Sequence, residues 1–433
     1  MTQSRRTFVK TATVAGAGLL ILPRRLIAGS GETPPSEQIT RAVIGVGGMG
    51  QGHLGYDLGP LLAICDVDQG HLDNTLKKLK DGGNKDVTGY RDFRDVLARK
   101  DIDVVQIATP PHWHALMSIM AAQAGKDVWC EKPMTRTIGE GEAVVKAIRK
   151  YDRIFRINTW FRFQDSFYGA GSSVAPIRKL VASGLLGGPL TVTLSAATGF
   201  NWKHQWCGKT DLVEQPIPPT LDYDMWLGPA PYKPYHPHRV HGTFRGYWDY
   251  DAGGLGDMGQ HYLDPVQYIL GKDDESPVEV IPDTQPQHPD AVLPWRKITL
   301  KYADGTTILI DSVTPGDQRT PLIEGPNGKL FKDFECDPVD LRAKLKEFPD
   351  PPKQLTKFGD AVRTRQKFAL NEINGHRSCT LINLASTSLR VGRPLKFNPK
   401  TQRFVHDDEA NAYINQPMRA PWHLPKPFWK FWS

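Results

Sequence analysis

The sequence predicts a chain of two domains, in which a doubly wound parallel α/β sheet is followed by an α+β domain with a mostly antiparallel sheet. Two observations lead to this prediction. Between residues 41 and 158, short apolar runs alternate with stretches of helical length, which is typical of a parallel sheet. After residue 158, the candidate strands alternate in polarity, which is typical of an antiparallel sheet with one exposed face. The length of 433 residues allows two or three domains.

Strands and helices joined by short loops are predicted throughout the first half. The strand that starts at Arg41 runs directly into a group of glycines, and the next strand ends at Asp66. Further along the chain we predict strands at 104–109 and 127–130 and helices at 73–80, 93–99, 114–124 and 138–151. Because parallel strands end at the same edge of a sheet, the residues that follow them should meet there.

The second half contains more widely spaced elements. A helix at about 177–184 precedes a strand of alternating polarity at 189–195, and a final helix is predicted at 378–391. Further strands are predicted at 277–281, 297–302 and 306–311. The stretch 313–360 is rich in proline and charge and permits no assignment. We therefore divide the chain into domains at 41–158 and 159–377, followed by a C-terminal helix and a surface-packed tail at 378–433.

The first 30 residues have the features of a targeting segment rather than of a folded domain. Ser4-Arg5-Arg6-Thr7-Phe8-Val9-Lys10 matches a twin-arginine export signal, and the weakly apolar stretch at 12–22 is too short to span a bilayer. Small residues at 28–30 offer a cleavage site, and residues 31–40 are predicted to form a linker. Because the twin-arginine route exports folded proteins, we expect a periplasmic or otherwise exported protein without stable membrane insertion.

The composition argues against several other classes of protein. The net charge of +7 is spread along the chain without a basic run, so we expect no nucleic-acid partner. The five cysteines are scattered and have no C-x-x-C spacing, which argues against a disulfide framework and against a zinc site. Cys65 and Cys130 each end an apolar run and are predicted to lie in the core.

A glycine-rich turn follows the first predicted strand. In Gly45-Val46-Gly47-Gly48-Met49-Gly50 the first glycine permits a tight turn, the second lets the backbone approach a pyrophosphate, and the third lets the helix pack closely on the strand. Asp66 ends the next strand, where an acid can hold the ribose hydroxyls of a dinucleotide. Its charge would repel a 2′-phosphate, so NAD is favoured over NADP. The alternative is that Asp66 only caps a turn or a helix. This context predicts a Rossmann dinucleotide-binding domain.

Two further motifs end strands at the same edge of the predicted sheet. Thr109-Pro110-Pro111-His112-Trp113-His114 follows one strand, and Glu131-Lys132-Pro133 follows the next. Besides the glycine turn and Asp66, we expect the cofactor to contact Thr109, Pro110, His112, His114, Glu131 and Lys132. A lysine is usually a solvated surface residue, but one at a strand end above a cofactor cleft is suited to electrostatic stabilisation of a reacting oxygen.

A glycine-rich run between Asp251 and Asp264 is predicted to open a helix. Asp257 and His261 lie four residues apart on it and therefore share one face. A carboxylate beside an imidazole holds the ring in one tautomer and raises its basicity, which suits the removal of a proton from an alcohol. The alternative is an ordinary ion pair on a helix surface.

Together these motifs resemble the Gfo/Idh/MocA family, which is named for glucose-fructose oxidoreductase and inositol dehydrogenase. The resemblance extends over nearly the whole chain after the export signal. It implies a nicotinamide-dependent dehydrogenase for sugars or cyclitols, with Lys132, Asp257 and His261 in the positions of the catalytic trio. It also implies a large open C-terminal sheet through which many members oligomerise, so we expect a homo-oligomer. Residues 158–162 depart from the Gln-Arg-Arg-like run of many members.

Aromatic and basic residues are concentrated between Phe200 and Asp251. Aromatic rings stack on the apolar face of a sugar, and basic side chains bind its hydroxyls. The candidate substrate-binding residues are Trp160, Arg162, Trp202, His204, Arg245, Trp248 and His261. The alternative is that part of this set builds the core or an oligomer interface. A metal site at His236, His238 and His241 is disfavoured by the intervening proline and the lack of nearby acids, so no metal is expected.

The sequence thus predicts an enzyme that oxidises a ring hydroxyl of a sugar or glycoside to a keto-sugar, and catalyses the reverse reaction. An exported protein cannot draw on the cytoplasmic pool of nicotinamide cofactors, so its NAD should be tightly bound and recycled in place. One alternative is an NAD-dependent glycosidase that cleaves its substrate through a transient keto intermediate. The other is a non-catalytic sugar-binding protein.

Overall fold

The computed structural model describes residues 38–164 and 166–424. The predicted export signal lies outside these residues, as do most of the predicted linker and the end of the tail from residue 425. The predictions made for those segments therefore stay predictions. Among the described residues, no helix combines the length and the apolar character that a membrane span requires.

The first domain is built on a six-stranded parallel sheet, which confirms the predicted fold class. The strand order is β3-β2-β1-β4-β5-β6, and every neighbouring pair is parallel. The strands are β1 Arg41–Ile44, β2 Leu61–Cys65, β3 Thr88–Tyr90, β4 Val104–Ile107, β5 Asp127–Glu131 and β6 Phe155–Asn158. Every residue of β1, β4 and β5 is buried, because helices cover both faces of the sheet.

Five helices connect these strands, close to the positions predicted. They are α1 Gly48–His53, α2 Gln69–Asp81, α3 Phe93–Ala98, α4 His114–Gln123 and α5 Ile138–Lys150. Local capping explains where two of them begin. The Asp68 carboxylate accepts from two backbone amides of α2, and Thr137 forms a capping box with Glu140 at the start of α5. Cys65 and Cys130 are buried and unpaired, as predicted.

The second domain contains a nine-stranded sheet of order β13-β12-β11-β7-β10-β9-β8-β14-β15. Neighbouring strands are antiparallel except β7 and β10, which run parallel. The longer strands are β7 Thr191–Leu194, β8 Glu279–Thr284, β9 Trp295–Lys301, β10 Thr307–Asp311 and β14 Leu395–Asn398. The shorter ones are β11 Ile323–Gly325, β12 Gly328–Leu330, β13 Cys336–Asp337 and β15 Arg403–Phe404. Burial alternates along β9, so one face of the sheet is covered and the other is more open.

The stretch 313–360, which the sequence left unassigned, contributes three of these strands and the short helix α9 Leu341–Lys344. Three helices precede it in this domain: α6 Val174–Ala182, α7 Tyr223–Leu227 and the long helix α8 Gly253–Leu270. Strands β11 to β13 have three residues or fewer. Such strands are too short to show a period-two pattern, and they are held only by pairing with their neighbours.

Two long helices support the second sheet and join the domains. Helix α8 is buried along nearly its whole length, and α11 Glu372–Val391 packs against both α8 and α5. Helix α11 begins at Glu372 rather than at the predicted Ser378, because the Asn371 side chain caps it by accepting from the Ile373 amide. The remaining helices are α10 Phe358–Thr364 and α12 Asp408–Asn411.

Residues 203–250, called here the crossing segment, run from the second domain across the carboxyl edge of the first sheet. The segment is attached there by backbone hydrogen bonds: Gln69 donates to the Thr220 carbonyl, and the Asp222 amide donates to the Val67 carbonyl. The Trp226 carbonyl in α7 accepts from the side chains of His112 and Trp113. The crossing segment therefore forms one wall of the cleft at this edge.

Candidate active site

The cleft at the carboxyl edge of the first sheet has a volume of about 380 Å³. One wall is the glycine turn with the ends of β2, β4 and β5, and the other is the crossing segment. Of the predicted cofactor residues, those that line the cleft are Gly45, Gly47, Gly48, Met49, Asp66, Thr109, Pro110, Glu131 and Lys132. The crossing segment contributes Leu221, Met225, Trp226, His241, Phe244 and Arg245.

The glycine turn has the geometry that close approach of a nucleotide requires. Gly45 has φ +84°, and a Cβ there would lie 2.8 Å from the Ala108 carbonyl carbon. A Cβ on Gly50 would lie 1.9 Å from the Gly45 oxygen, so only glycine lets α1 pack this closely on β1. Around Gly48, no described residue outside its own helix and its chain neighbours comes within 4 Å of such a Cβ, which leaves the start of α1 open to a ligand. The turn therefore fits a dinucleotide pyrophosphate.

Asp66 faces the cleft and does not cap the helix that follows it. Its Oδ2 accepts from the Val46 amide at 2.8 Å and its Oδ1 from the Asp68 amide at 2.9 Å. The helix cap is Asp68 instead. His71 Nδ1 lies 3.6 Å from Asp66 Oδ2, and this contact raises the pKa of His71 against the effect of its partial burial. An acid held by backbone amides beside the glycine turn is well placed to accept from ribose hydroxyls.

Two histidines predicted to contact the cofactor are structural instead. His112 is buried and its Nε2 lies 2.9 Å from the Trp226 carbonyl oxygen, so it anchors the crossing segment. Burial lowers the pKa of His112 to about 3, which keeps the ring neutral. The ring nitrogens of His114 lie 2.7 Å and 2.8 Å from the carbonyl oxygens of Pro133 and Thr109. His114 therefore braces the two loops of the cleft from behind rather than lining it.

Glu131 lines the cleft beside Lys132 and is held by three neighbouring groups. Its Oε1 lies 2.8 Å from His53 Nε2 and accepts from Asn158 Nδ2 at 2.5 Å, while Oε2 accepts from the Lys132 amide. Burial alone would raise the pKa of Glu131, but these partners hold it down to about 2. Sequence reasoning missed His53. Its ring is held by Gln106, and no motif connects those two positions.

The ammonium group of Lys132 and the carboxylate of Asp257 meet across the domain junction. Lys132 Nζ lies 3.0 Å from Asp257 Oδ1 and also donates to the Asp257 carbonyl at 2.6 Å. Arg245 Nε donates to Asp257 Oδ1 at 2.9 Å, and Trp206 Nε1 donates to Oδ2 at 3.0 Å. Lys203 Nζ lies 3.4 Å from Oδ2. Although burial opposes it, this set of donors holds the pKa of Asp257 well below its usual range.

His261 lies near Lys132, but Asp257 does not orient it, so that prediction is wrong. Its Nδ1 is 3.1 Å from the Thr159 hydroxyl, and its ring contacts Trp160 and Phe161. The predicted rise in basicity is also wrong, since burial and then the charge of Lys132 lower the pKa of His261 to about 3. Asp257 does not orient the ring because Lys132, Lys203, Arg245 and the Trp206 indole occupy both of its carboxylate oxygens. The low pKa keeps the ring uncharged near neutral pH. The imidazole is therefore neutral and forms no hydrogen bond through Nε2 with any described residue.

The predicted substrate residues divide into two groups. Arg245 lines the cleft, and Trp160 contacts His261. His204 is half-buried against Trp295, at a ring distance of 5.2 Å, at the start of the crossing segment. These positions are consistent with a substrate subsite that adjoins the cleft. Lys203 and Trp206, which bind Asp257, were not among the predicted substrate residues, because no motif marks them in the sequence.

The other three predicted substrate residues belong to the core. Trp202 is buried and donates to the Leu194 carbonyl, and Trp248 is buried and donates to the His288 carbonyl. Arg162 has a fully buried side chain that forms ion pairs with Asp264 and Asp273 at 2.7 Å each. These large side chains fill the interior of the second domain. The prediction that Trp202, Trp248 and Arg162 bind substrate is therefore wrong, because an aromatic and basic composition does not distinguish a core from a sugar site.

Among the described residues, one group has the types and spacing of metal ligands. Asp68, His71 and His241 bring their ligand atoms within 4.8 Å of one another. All three line the cleft beside Asp66, and the Asp68 carboxylate is already engaged as a helix cap. His236 and His238 take no part in the group. The expectation that the protein binds no metal stays a prediction.

The fold and the cleft together define a dinucleotide-binding protein in which a second domain contributes one wall of the site. The family model described as "Oxidoreductase family, NAD-binding Rossmann fold" matches residues 39–159. The model described as "Oxidoreductase family, C-terminal alpha/beta domain" matches residues 170–424, which is more than half of the chain. The chain belongs to the Gfo/Idh/MocA family of NAD-binding oxidoreductases.

Curated relatives and solved structures agree with this assignment. A glycosyl hydrolase family 109 protein of Shewanella pealeana is 32% identical over 162 residues, which span 32% of this chain and 36% of that protein. The uncharacterized oxidoreductase YrbE of Bacillus subtilis is 23% identical over 383 residues, 83% of this chain and 97% of that protein. The match to the first relative thus spans about a third of its length.

Two solved structures illustrate the shared fold. The WlbA dehydrogenase of Bordetella pertussis, in complex with NADH and UDP-GlcNAcA, has a TM-score of 0.55 and 17% identity, and the match covers 83% of this chain and 99% of that one. The myo-inositol 2-dehydrogenase of Lactobacillus plantarum has a TM-score of 0.52 with 17% identity and covers the same shares. At these identities the likeness establishes the fold alone.

Proposed function

We propose that this protein is an NAD-dependent dehydrogenase that oxidises a ring hydroxyl of a sugar or glycoside to a ketone, and reduces it back. The observation that carries the proposal is the meeting of Lys132 from the first domain with Asp257 and His261 from the second. The ammonium group of Lys132 lies at the cleft, close enough to His261 for its charge to lower the pKa of that imidazole. The distance of 3.0 Å between Lys132 Nζ and Asp257 Oδ1 ties the two domains together at this point.

Each residue has a role that follows from its contacts. Asp257 holds the Lys132 ammonium group in place, and Lys132 donates to the reacting hydroxyl oxygen and stabilises the alkoxide that develops there. His261 is neutral and accepts the hydroxyl proton at Nε2, which requires the tautomer that carries its proton on Nδ1, 3.1 Å from the Thr159 hydroxyl. NAD, when bound, supplies the acceptor for the hydride that leaves the same carbon. The glycine turn and Asp66 would hold it, and the charge of Asp66 would favour NAD over NADP.

Tight retention of the cofactor is part of the proposal. The crossing segment forms one wall of the cleft, and its backbone is hydrogen-bonded to the residues that follow β2. A nucleotide in the cleft would therefore be enclosed between two parts of the chain, which slows its escape. Retained NADH must be reoxidised in place, by a second carbonyl compound or by the substrate's own later intermediate.

Export and assembly complete the proposal. The twin-arginine sequence at Arg5 and Arg6 favours transport of the folded, cofactor-loaded protein to the periplasm. The open C-terminal sheet favours a homo-oligomer, as is common in the family. To test the export, residues 1–40 are fused to a fluorescent reporter that matures only in the cytoplasm, so that fluorescence in the periplasm requires transport of the folded protein. Light scattering coupled to gel filtration tests the assembly.

A panel of mono- and disaccharides provides the test of the reaction. The purified protein is incubated with each sugar, and the products are examined for keto-sugars by mass spectrometry while nicotinamide absorbance is followed. We expect at least one ketone, and a nicotinamide signal that stays with the protein through gel filtration. A protein that lacks nicotinamide and converts no sugar of the panel would contradict the proposal.

A second candidate is favoured by the resemblance to glycosyl hydrolase family 109 proteins. In an NAD-dependent glycosidase, oxidation of one hydroxyl acidifies the neighbouring C–H. Elimination then breaks the glycosidic bond, water adds to the resulting double bond, and the ketone is reduced again. Release of the aglycone without net NADH, with deuterium from the solvent at the acidified carbon, would identify this reaction. A stable keto-glycoside would identify the dehydrogenase.

A further inference from the structure

Three cations surround a single carboxylate at the substrate side of the cleft. Lys132, Lys203 and Arg245 all lie within 3.4 Å of Asp257, which can neutralise only one of them. The side chains of Lys132 and Arg245 are 7% and 17% exposed, so water compensates their charge only in part. Uncompensated charge at a partly desolvated site is unfavourable unless a ligand balances it.

The nearby acids balance only part of the remaining positive charge. Glu131 is an ionised carboxylate beside Lys132, so Glu131 and Asp257 together leave one of the three positive charges without a counter-ion. Asp251 lines the cleft, but its burial raises its pKa to about 7, so it is only partly ionised at neutral pH. The side of the site that faces the cleft therefore keeps an excess of positive charge.

Two of the cations have the freedom to bind a ligand. Lys203 is 35% exposed and is held at the turn by its amide, which donates to Asn201 Oδ1 at 2.8 Å. Arg245 uses Nε for Asp257 and Nη1 for the Gly242 carbonyl. Among the described residues its Nη2 has no acceptor. The guanidinium lies over the rings of Trp206 and Phe244, at 5.1 and 4.9 Å, which keeps it in place.

We propose that Lys203 and Arg245 form a subsite for an anionic group on the substrate, so that the preferred sugar is a sugar acid such as a hexuronic acid or its glycoside. This inference rests on the proposed function, because it places the sugar beside Lys132 and Asp257. Charge-assisted hydrogen bonds from the two side chains hold the carboxylate of the sugar, while Asp257 keeps Lys132 for the reacting hydroxyl. A neutral sugar would leave the excess positive charge uncompensated.

The test measures binding to the cofactor-loaded protein and does not depend on turnover. The probes are methyl glucuronide, its uncharged methyl ester and methyl glucoside, together with the corresponding galacto compounds, and tryptophan fluorescence reports the dissociation constants. We expect the uronate of at least one series to bind about ten-fold more tightly than its ester, or better, as one charge-assisted contact implies. Lys203→Gln and Arg245→Gln should each remove most of this preference, and Lys203→Arg should keep it.

Lys209→Gln is the matched control, because Lys209 is an exposed lysine of the same segment. It should leave the preference unchanged. Esters or neutral sugars that bind as well as the uronates would overturn the inference. So would a loss of NAD affinity in Lys203→Gln and Arg245→Gln without any change in sugar binding, since the charges would then serve the cofactor phosphates. Selective uronate binding without oxidation would refute the proposed reaction alone, whereas oxidation of neutral glycosides in preference to uronates would refute the anionic subsite alone.

Discussion

Replacement of Asp257 by asparagine tests whether this carboxylate is the counter-ion that holds the two domains together at the site. The change keeps the shape of the side chain but removes the negative charge that Lys132, Arg245 and Lys203 share. Removal of one partner from a buried ion pair costs about 3–5 kcal/mol. Lys203 is partly exposed, and an asparagine oxygen still accepts hydrogen bonds, so we expect the lower end, about 3 kcal/mol.

This free energy converts to a melting temperature through the size of the protein. With an unfolding entropy of about 2.1 cal/mol/K per residue, a unit of roughly 390 residues has about 0.8 kcal/mol/K, so 3 kcal/mol lowers the Tm by about 4 °C. Calorimetry of the wild type, Asp257→Asn and the exposed control Asp317→Asn measures the effect at neutral pH. A Tm of Asp257→Asn within one degree of the control would refute the reasoning.

The pH dependence gives the same prediction a second test. Since the folded pKa of Asp257 lies below its usual value of 3.8, its stabilising effect is present above that value and is lost as the pH falls through the folded pKa. The difference in unfolding free energy between the wild type and Asp257→Asn should therefore be largest at neutral pH and shrink below pH 4. Urea unfolding at pH 7 and pH 3 measures it, and an equal difference at both values would contradict the assignment.

Further predictions address the chemistry, the core and the cofactor. Lys132→Ala and His261→Ala should each abolish sugar oxidation but leave nicotinamide absorbance on the purified protein; turnover that survives both changes would remove these residues from the mechanism. Arg162→Met breaks a buried ion pair and should lower the Tm by about 4–6 °C with the KM for sugar unchanged. A raised KM at unchanged Tm would instead show that Arg162 binds the substrate. Asp66→Ala should reduce the preference for NAD over NADP at least about ten-fold, as the loss of one charge-assisted contact implies, and an unchanged ratio of the two affinities would show that Asp66 does not contact the ribose. Burial raises the folded pKa of Asp251 to about 7, so the stability that its protonated form contributes is present below pH 4 and lost as the pH rises through 7. Asp251→Asn should flatten this part of the stability profile. An unaltered slope in urea unfolding would show that Asp251 is ionised.

Local signals explain which parts of the fold could be predicted. In the first domain, apolar runs bounded by turn residues predict the strands at Arg41, Leu61, Val104 and Asp127 within a few residues, because both faces of that sheet are buried and every strand residue must be apolar or paired. In the second domain, strands β11 to β13 carry no such signal. They exist because neighbouring strands offer them hydrogen-bonding partners, which a single sequence does not reveal.

For the site, the sequence by itself determined the residues that carry a local chemical constraint. Gly45 and Gly50 must lack a side chain, Asp66 and Lys132 directly follow strands at the cleft, and Asp257 and His261 lie four residues apart on α8. These features depend on short-range geometry and can be read from spacing.

Only the tertiary structure decided which charges meet. It placed Lys203, Arg245 and Trp206 around Asp257, so that the His261 ring contacts Thr159 instead. Burial and the charge of Lys132 then make the imidazole less basic rather than more basic. It also moved Arg162 and Trp202 from the substrate site into the core. Electrostatic and packing partners come from segments far apart in the chain, and competition among them, rather than spacing along one helix, sets each pairing.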